Sequence, residues 1–371
     1  MKKSGGISRE YRRKLIVSAV FLFLTGLVYC LAKYLPELMF PWYRDFSRKL
    51  LWLLADFTDL FPFSIFEWGM LGLVWLALGW MIKIIAYRRG LVRFLLTAAE
   101  IGSGILCLFV VLWGADQFAP TFLSTTEYNE SSFSVEEARA AAEYYLEMAE
   151  GYAPLVPRDE TGLSDFGSFS DIADGVESGY GYLAATYGSR FACGDVTPKG
   201  MCFSYVMDMI GLTGIYTGYT GEMSINTDTP DQSLPFTISH ELAHRCTVAN
   251  ENDANFAAFL ACIHSDEDIY RYSGYYSAFI YVYNAIAKVD KTVQSQLWSS
   301  IDEDVMTDIL AANAHYKEFE KPVRKAAEKV NDTYLKSFNQ SSGINNYGAV
   351  AGALISYYEK EIAGNQGDMD E

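Results

Sequence analysis

The sequence predicts a mainly α-helical chain with a small β-hairpin or edge strand, an α+β protein in which three N-terminal transmembrane helices precede an extracytoplasmic domain. Three observations carry that expectation. Long apolar runs fill the first third of the 371 residues. A charge step follows them: residues 1–118 hold 14 Lys/Arg against 8 Asp/Glu, a net +6, and the remainder holds 15 against 38, a net −23. From Ser134 onward helical periodicity dominates, broken by one short stretch of β-formers and glycines. With 50% hydrophobic and 15% aromatic residues the chain is neither disordered nor of low complexity. The acidic C-terminal part would repel phosphates, which argues against a nucleic-acid partner.

The first run, Leu15 to Ala32, has no charge and is long enough to cross a bilayer core. The second extends from Trp68 to about Tyr87, with Lys83 near its end where a long side chain can snorkel. The third runs from Phe94 to Ala115 with Glu100 as its single charge, and such a residue faces other helices or water. These runs define a membrane domain over residues 1–117, with spanning helices at about 15–34, 66–87 and 94–115. No A-x-A site follows the first run and Tyr29 precedes Cys30, so it reads as an uncleaved anchor and not as a signal peptide. Lys2, Lys3, Arg9, Arg12, Arg13 and Lys14 crowd the N-terminus, and the short loop from Lys83 to Arg93 holds four more basic residues. The positive-inside rule therefore puts both in the cytoplasm, and three crossings leave residues 118–371 outside a cell membrane. Between the first two spans, residues 38–63 mix Trp, Phe and Leu with charges at helical spacing and read as an amphipathic segment on the outer membrane surface.

In the exterior domain Ser134-Val-Glu-Glu137 is a capping box that opens a helix. The Gly- and Ser-rich stretch from Gly162 to Gly188 reads as a loop with one helical turn, and GIYTGYTGEMSIN from Gly214 to Asn226 as a short hairpin or edge strand. There is no internal repeat. Of six cysteines, Cys30 and Cys107 lie in spans; Cys193, Cys202, Cys246 and Cys262 fall outside, where disulfides are permitted. Cys193 and Cys202 flank a Gly/Pro-containing turn and can pair.

One constellation carries chemistry. His240-Glu241-Leu-Ala-His244 is H-E-x-x-H: at i and i+4 on a helix both imidazoles can ligate one Zn2+, and Glu241 stands where it can act as general base on a metal-bound water. A third ligand must come from elsewhere. Glu251 in E-N-D-A-N is the leading candidate and Asp253 its rival, with Asn255 as a hydrogen-bonding partner behind the ligands. On one straight helix Glu251 would lie about 10 Å beyond His244, so the chain must break and turn back between them. The bland alternative is an amphipathic helix with two surface histidines, yet two of the chain's four histidines fall in the motif. His264 and His315 read as structural or surface residues.

Taken with LFPFSIFEWG (60–69), GLTGIYTGYTGE (211–222), PFTISHELAH (235–244), ENDANFAAFLAC (251–262), YRYSGYYSA (270–278) and NNYGAV (345–350), the chain resembles an uncharacterised bacterial family of three-helix, membrane-anchored H-E-x-x-H proteins that is similar to gluzincin metallopeptidases. The resemblance implies Zn2+ as cofactor and assigns the E-x-x-A-[ND] glutamate of gluzincins to Glu251. The sequence departs from the usual pattern after the second histidine, where Cys246-Thr247 stand in place of a turn glycine. Peptidases of this kind bind an extended peptide along an edge strand. Glu222, Met223, Ser224, Ile225 and Asn226 are the candidate strand, with a purely structural hairpin as the alternative. Tyr272 or Tyr275 is a candidate oxyanion donor, against simple core packing. The expectation is thus a multi-pass, zinc-dependent metallopeptidase with the lipid bilayer and a peptide or protein substrate as partners. The alternative is a catalytically silent zinc-binding membrane protein acting as sensor or assembly partner.

Overall fold

The structure, a computed structural model, describes residues 8–88, 90–128, 132–320, 322–338, 340 and 347–364. Lys2, Lys3 and Arg89, which contribute to the expected orientation, lie outside the described residues, as do Asn345 and Asn346 of NNYGAV. The chain divides into two compact units, Met1–Ala119 with Thr217–Gly221, and Pro120–Tyr216 with Glu222–Glu371.

The first unit holds helices α1 (Arg9–Tyr34), α2 (Pro36–Thr58), α3 (Ile65–Tyr87) and α4 (Leu91–Leu112). By length and composition α1, α3 and α4 can each cross a membrane. α1 begins six residues ahead of its apolar run because Ser8 caps it by accepting from the Tyr11 N–H, and arginine and lysine sustain a helix well. α3 opens on Ser64, which accepts from Glu67 N–H. The third span stops at Leu112 and not at residue 115: Trp113 leaves helical geometry and Gly114–Phe118 tightens into a 3-10 turn. Glu100 is paired across helices, 2.7 Å from Lys14 and 3.8 Å from Arg13 of α1. Nearby, Gly104 lets Phe21 approach so closely that a Cβ would lie 3.3 Å from its ring.

The segment between the first two spans has two apolar faces where one was expected. Met39, Tyr43, Ser47, Leu51 and Ala55 recur every fourth residue and are buried, Met39 and Tyr43 packing with Ala32 and Ala115. On the other side Leu38, Trp42, Phe46, Leu53 and Phe57 form an exposed stripe. The helix ends at Thr58, short of residue 63. Thr217–Gly221 belongs to this unit; Thr58 Oγ1 donates to the Thr220 carbonyl (3.1 Å), and Gly221, at φ 72°, comes so near α2 that a Cβ would meet Leu51 O at 2.7 Å.

In the second unit α5 (Val135–Tyr152) opens on the expected capping box, with both reciprocal Ser134–Glu137 bonds formed. The stretch read as a loop instead folds into two helices, α6 (Phe169–Asp174) and α7 (Val176–Tyr187). Two of its glycines, Gly175 and Gly179, serve packing: at Gly179 a Cβ would lie 1.9 Å from the Ala261 carbonyl oxygen, so tertiary contact overrides low helix propensity. A two-residue strand β1 (Lys199–Gly200) is followed by α8 (Ser204–Ile210) and the hairpin strands β2 (Gly214–Thr217) and β3 (Glu222–Ile225). The mixed sheet has the order β1-β3-β2, with Lys199 opposite Ser224 and Gly200 opposite Ile225 in parallel register. β1 is too short to announce itself, but Lys199 and Glu222 form a fully buried ion pair (2.9 Å) between it and β3.

Helices α9 (Leu234–Arg245), α10 (Glu251–Ile263), α11 (Asp268–Val289), α12 (Lys291–Ser300), α13 (Glu303–Glu318), α14 (Pro322–Ser337) and α15 (Tyr347–Tyr357) complete the unit. α10 and α11 are its core: α11 packs on α5, α9, α12 and α15, and α10 on α7, α9 and α15. Cys193 bonds to Cys246 and not to Cys202. The turn after Cys193 leads into β1 and leaves Cys202 exposed, whereas Cys246 at the end of α9 comes within 6.6 Å, Cα to Cα. Closing 53 residues is worth about 4 kcal/mol in the chain-entropy account.

Candidate metal centre

α9 places His240 and His244 one turn apart on one face, their ring centroids 4.6 Å apart. The break that must follow is a helix-terminating turn of Schellman type. Thr247 N–H donates to His244 O (2.9 Å), and Val248 N–H to Ala243 O (3.0 Å). The residue at the left-handed position is Thr247, with φ 61°. This is where glycine usually sits, and a β-branched residue there costs about 1–2 kcal/mol. The turn has two consequences. It brings the Val248 carbonyl to 2.7 Å from His244 Nδ1. It also starts α10 at once, Asn250 capping it by accepting from Asn252 and Asp253 N–H. Thr247→Gly is expected to raise the unfolding free energy by up to about 1 kcal/mol, while Thr247→Ala, which keeps the strain, does not; denaturant unfolding followed by circular dichroism checks it.

Glu251 is the first residue of α10, and its Oε2 lies 3.3 Å from His240 Nε2 and 3.7 Å from His244 Nε2. One ligand atom from each residue falls within 4.8 Å of the others. Four donors about 2.0–2.1 Å from a tetrahedral ion stand about 3.3–3.4 Å apart, so these three atoms are spaced for one cation. Each imidazole is oriented from behind. His240 Nδ1 lies 2.9 Å from Asn255 Oδ1 and His244 Nδ1 2.7 Å from the Val248 carbonyl; with Nδ1 donating to these acceptors, both Nε2 atoms are left turned toward Glu251. Asn255 Oδ1 also accepts from the Tyr281 hydroxyl (3.0 Å). Burial opposes a charge on His244, but the Glu251 carboxylate outweighs it and raises the imidazole to about 9. Burial likewise opposes ionisation of Glu251, and the two histidines reverse it, holding that carboxyl far below its ordinary range. The site opens on the side of Glu251, whose side chain is 42% exposed.

Glu241 is buried beside this cluster. Among the described residues its Oε2 has no hydrogen-bond partner, and Tyr216 N–H of β2 donates to the carboxylate. Gly214 of β2 is so near that a Cβ would stand 2.6 Å from Glu241 Oε1. Burial raises the Glu241 carboxyl, and His240 and His244 partly offset this.

The other sequence candidates lie elsewhere or play different parts. Asp253 is buried and its carboxylate accepts from Phe122 N–H, so it is turned away from the histidines. Glu222, Met223, Ser224, Ile225 and Asn226 run along β3, the central strand; they are buried and flanked on both sides, which denies them the role of an open edge. That edge is β2. Asn226 N–H donates to Thr213 O, so by alternation the main-chain groups of Gly214 face away from β3. Tyr272 donates its hydroxyl to Asp308 (2.5 Å), which also holds Arg158 and Ser164, and Tyr275 stacks on Tyr152; both serve packing and not the metal cluster. His264 stacks on Tyr182, and His315 lies 3.1 Å from Asp208. Tyr281, Val248 and Gly214 were not anticipated. Tyr281 is one of several tyrosines on α11, and the other two act through main-chain atoms or an absent side chain, so no residue type signals them.

No curated protein and no solved structure matches the chain. Over residues 42–355, which reach from within α2 into α15, it matches the family described as "Protein of unknown function (DUF3810)", and the chain belongs to that family.

Proposed function

We propose that the protein is a membrane-anchored, zinc-dependent metallopeptidase that hydrolyses peptide bonds outside the cytoplasm. The single observation behind this reading is the cluster itself: ligand atoms of His240, His244 and Glu251 within 4.8 Å of one another, beside a buried carboxylate one oxygen of which has no hydrogen-bond partner among the described residues. The likeness to gluzincins rests on the H-E-x-x-H and E-x-x-A-N segments themselves. His240, His244 and Glu251 would hold Zn2+, which when bound supplies Lewis acidity toward the scissile carbonyl and acidifies a water. Glu241 would act as the general base, holding the proton of the attacking water and returning it to the leaving amine. Substrate adds to the edge of β2 that faces away from β3, where Gly214, lacking a side chain, lets Glu241 lie directly against the strand. The N-terminus and the α3–α4 loop are cytoplasmic, the second unit is extracytoplasmic, and the exposed stripe of α2 rests in the outer leaflet interface.

Metal analysis and a peptide library test this on the detergent-solubilised full chain. About one zinc per chain and zinc-dependent cleavage are expected. Stoichiometric zinc without cleavage of any peptide would instead favour a silent sensor or assembly partner, and absence of zinc would remove both readings.

A further inference from the structure

We infer that the Cys193–Cys246 disulfide is a modification site for an external dithiol, and that opening it loosens the third metal ligand. The inference rests on the metal reading above. Cys246 is the C-cap of α9, two residues past His244 and directly before Thr247, whose left-handed φ of 61° is strained for a β-branched side chain. Strained backbone persists only where its surroundings over-determine it. Here two main-chain hydrogen bonds and the disulfide do so, and the disulfide is the one covalent restraint. The local features that place Glu251 follow within five residues of that bond, namely the Val248 carbonyl behind His244, the Asn250 cap and the start of α10, with Gln340, far along the chain, accepting from Glu251 N–H.

The two sulfurs differ in access. Cys246 is fully buried, whereas Cys193 is part-exposed and lines a cavity of about 270 Å³ together with Tyr180, Phe191, Asp195 and Leu242. Leu242 lies between the two metal-site histidines, so the cavity adjoins the helix that carries them. A thiolate of the dithiol attacks Cys193 Sγ and expels the Cys246 sulfur, which takes up a proton. The second sulfur of the reagent then displaces Cys193 and closes a disulfide of its own. The protein disulfide gains two electrons and two protons, and the dithiol loses them.

Zinc affinity of the solubilised full chain, read by competition with a chromophoric chelator, tests this. Three samples are compared: oxidised chain, chain treated with dithiothreitol and desalted without oxygen, and Cys193→Ser. Affinity is expected to fall at least tenfold in the last two with helical circular dichroism intact, and Cys202→Ser is expected to match the oxidised chain. Thr247→Gly, by removing the strain the bond opposes, is expected to restore affinity in the reduced chain to within about threefold. Equal affinity in all samples overturns the inference. So does loss of helical signal on reduction, which would make the bond a brace of the whole unit. If the oxidised chain binds no zinc, the metal reading has failed instead.

Discussion

Glu241→Gln is expected to lower peptide hydrolysis by two to four orders of magnitude while leaving zinc content at the wild-type level. The substitution keeps shape and volume, and the amide oxygen can still accept from Tyr216 N–H, so the seat against Gly214 is preserved. What is lost is the ability to hold a proton between attack and departure of the amine. Burial raises the Glu241 carboxyl, which brings its basicity closer to neutrality and suits it to that task. No fold penalty of comparable size is expected, because a buried carboxylate with an unpartnered oxygen is replaced by a neutral group. The comparison needs kcat/KM on a cleaved peptide alongside metal analysis of the same preparation. A variant that keeps more than a tenth of wild-type activity with full zinc removes Glu241 from the mechanism. One that loses zinc as well assigns it a structural part in the site.

The legible parts of this protein are those where a side-chain type has a single physical use. Apolar runs of spanning length, with at most one charge each, marked α1, α3 and α4, because few soluble folds tolerate three of them in so short a segment. Ser134 and Glu137 marked the start of α5, since hydroxyl and carboxylate at that spacing satisfy free backbone donors. His240, Glu241 and His244 are legible for the same reason, and the need for a bend before Glu251 followed from helix rise alone. The illegible parts depend on what a distant segment does. Gly179 looked like a helix breaker until α10 passed within van der Waals contact. Of the two readings of residues 214–226, hairpin or edge strand, the sequence could not show that β3 is central, because β1, only two residues long, pairs with it. Cys193 chose Cys246 over the nearer Cys202, a choice set by where α9 ends. In the turn after His244 the sequence offered no glycine, and Thr247 takes the left-handed position at an energetic cost; that departure from rule falls beside the candidate site, where tolerated strain is most often found.

A ligand series separates the metal reading from a plain hydrogen-bonded cluster. His240→Ala, His244→Ala and Glu251→Ala are each expected to weaken zinc binding by roughly 10³-fold or more, since three protein donors leave no spare ligand. Asn255→Ala acts one step back: it takes away the acceptor that His240 Nδ1 and the Tyr281 hydroxyl share, and a loss of about 10–100-fold is expected. Asp253→Ala should behave oppositely, keeping zinc affinity while destabilising the fold by about 1–3 kcal/mol, because Phe122 N–H is left buried without its acceptor. Isothermal titration with zinc and denaturant unfolding on the same five proteins give the two readouts. If Asp253→Ala loses zinc and Glu251→Ala retains it, the ligand set is wrong, and the start of α10 must turn a different carboxylate toward the histidines. If none of the five changes affinity, the closeness of His240, His244 and Glu251 reflects ion pairing alone, a protonated imidazole beside a carboxylate at 3.3 Å.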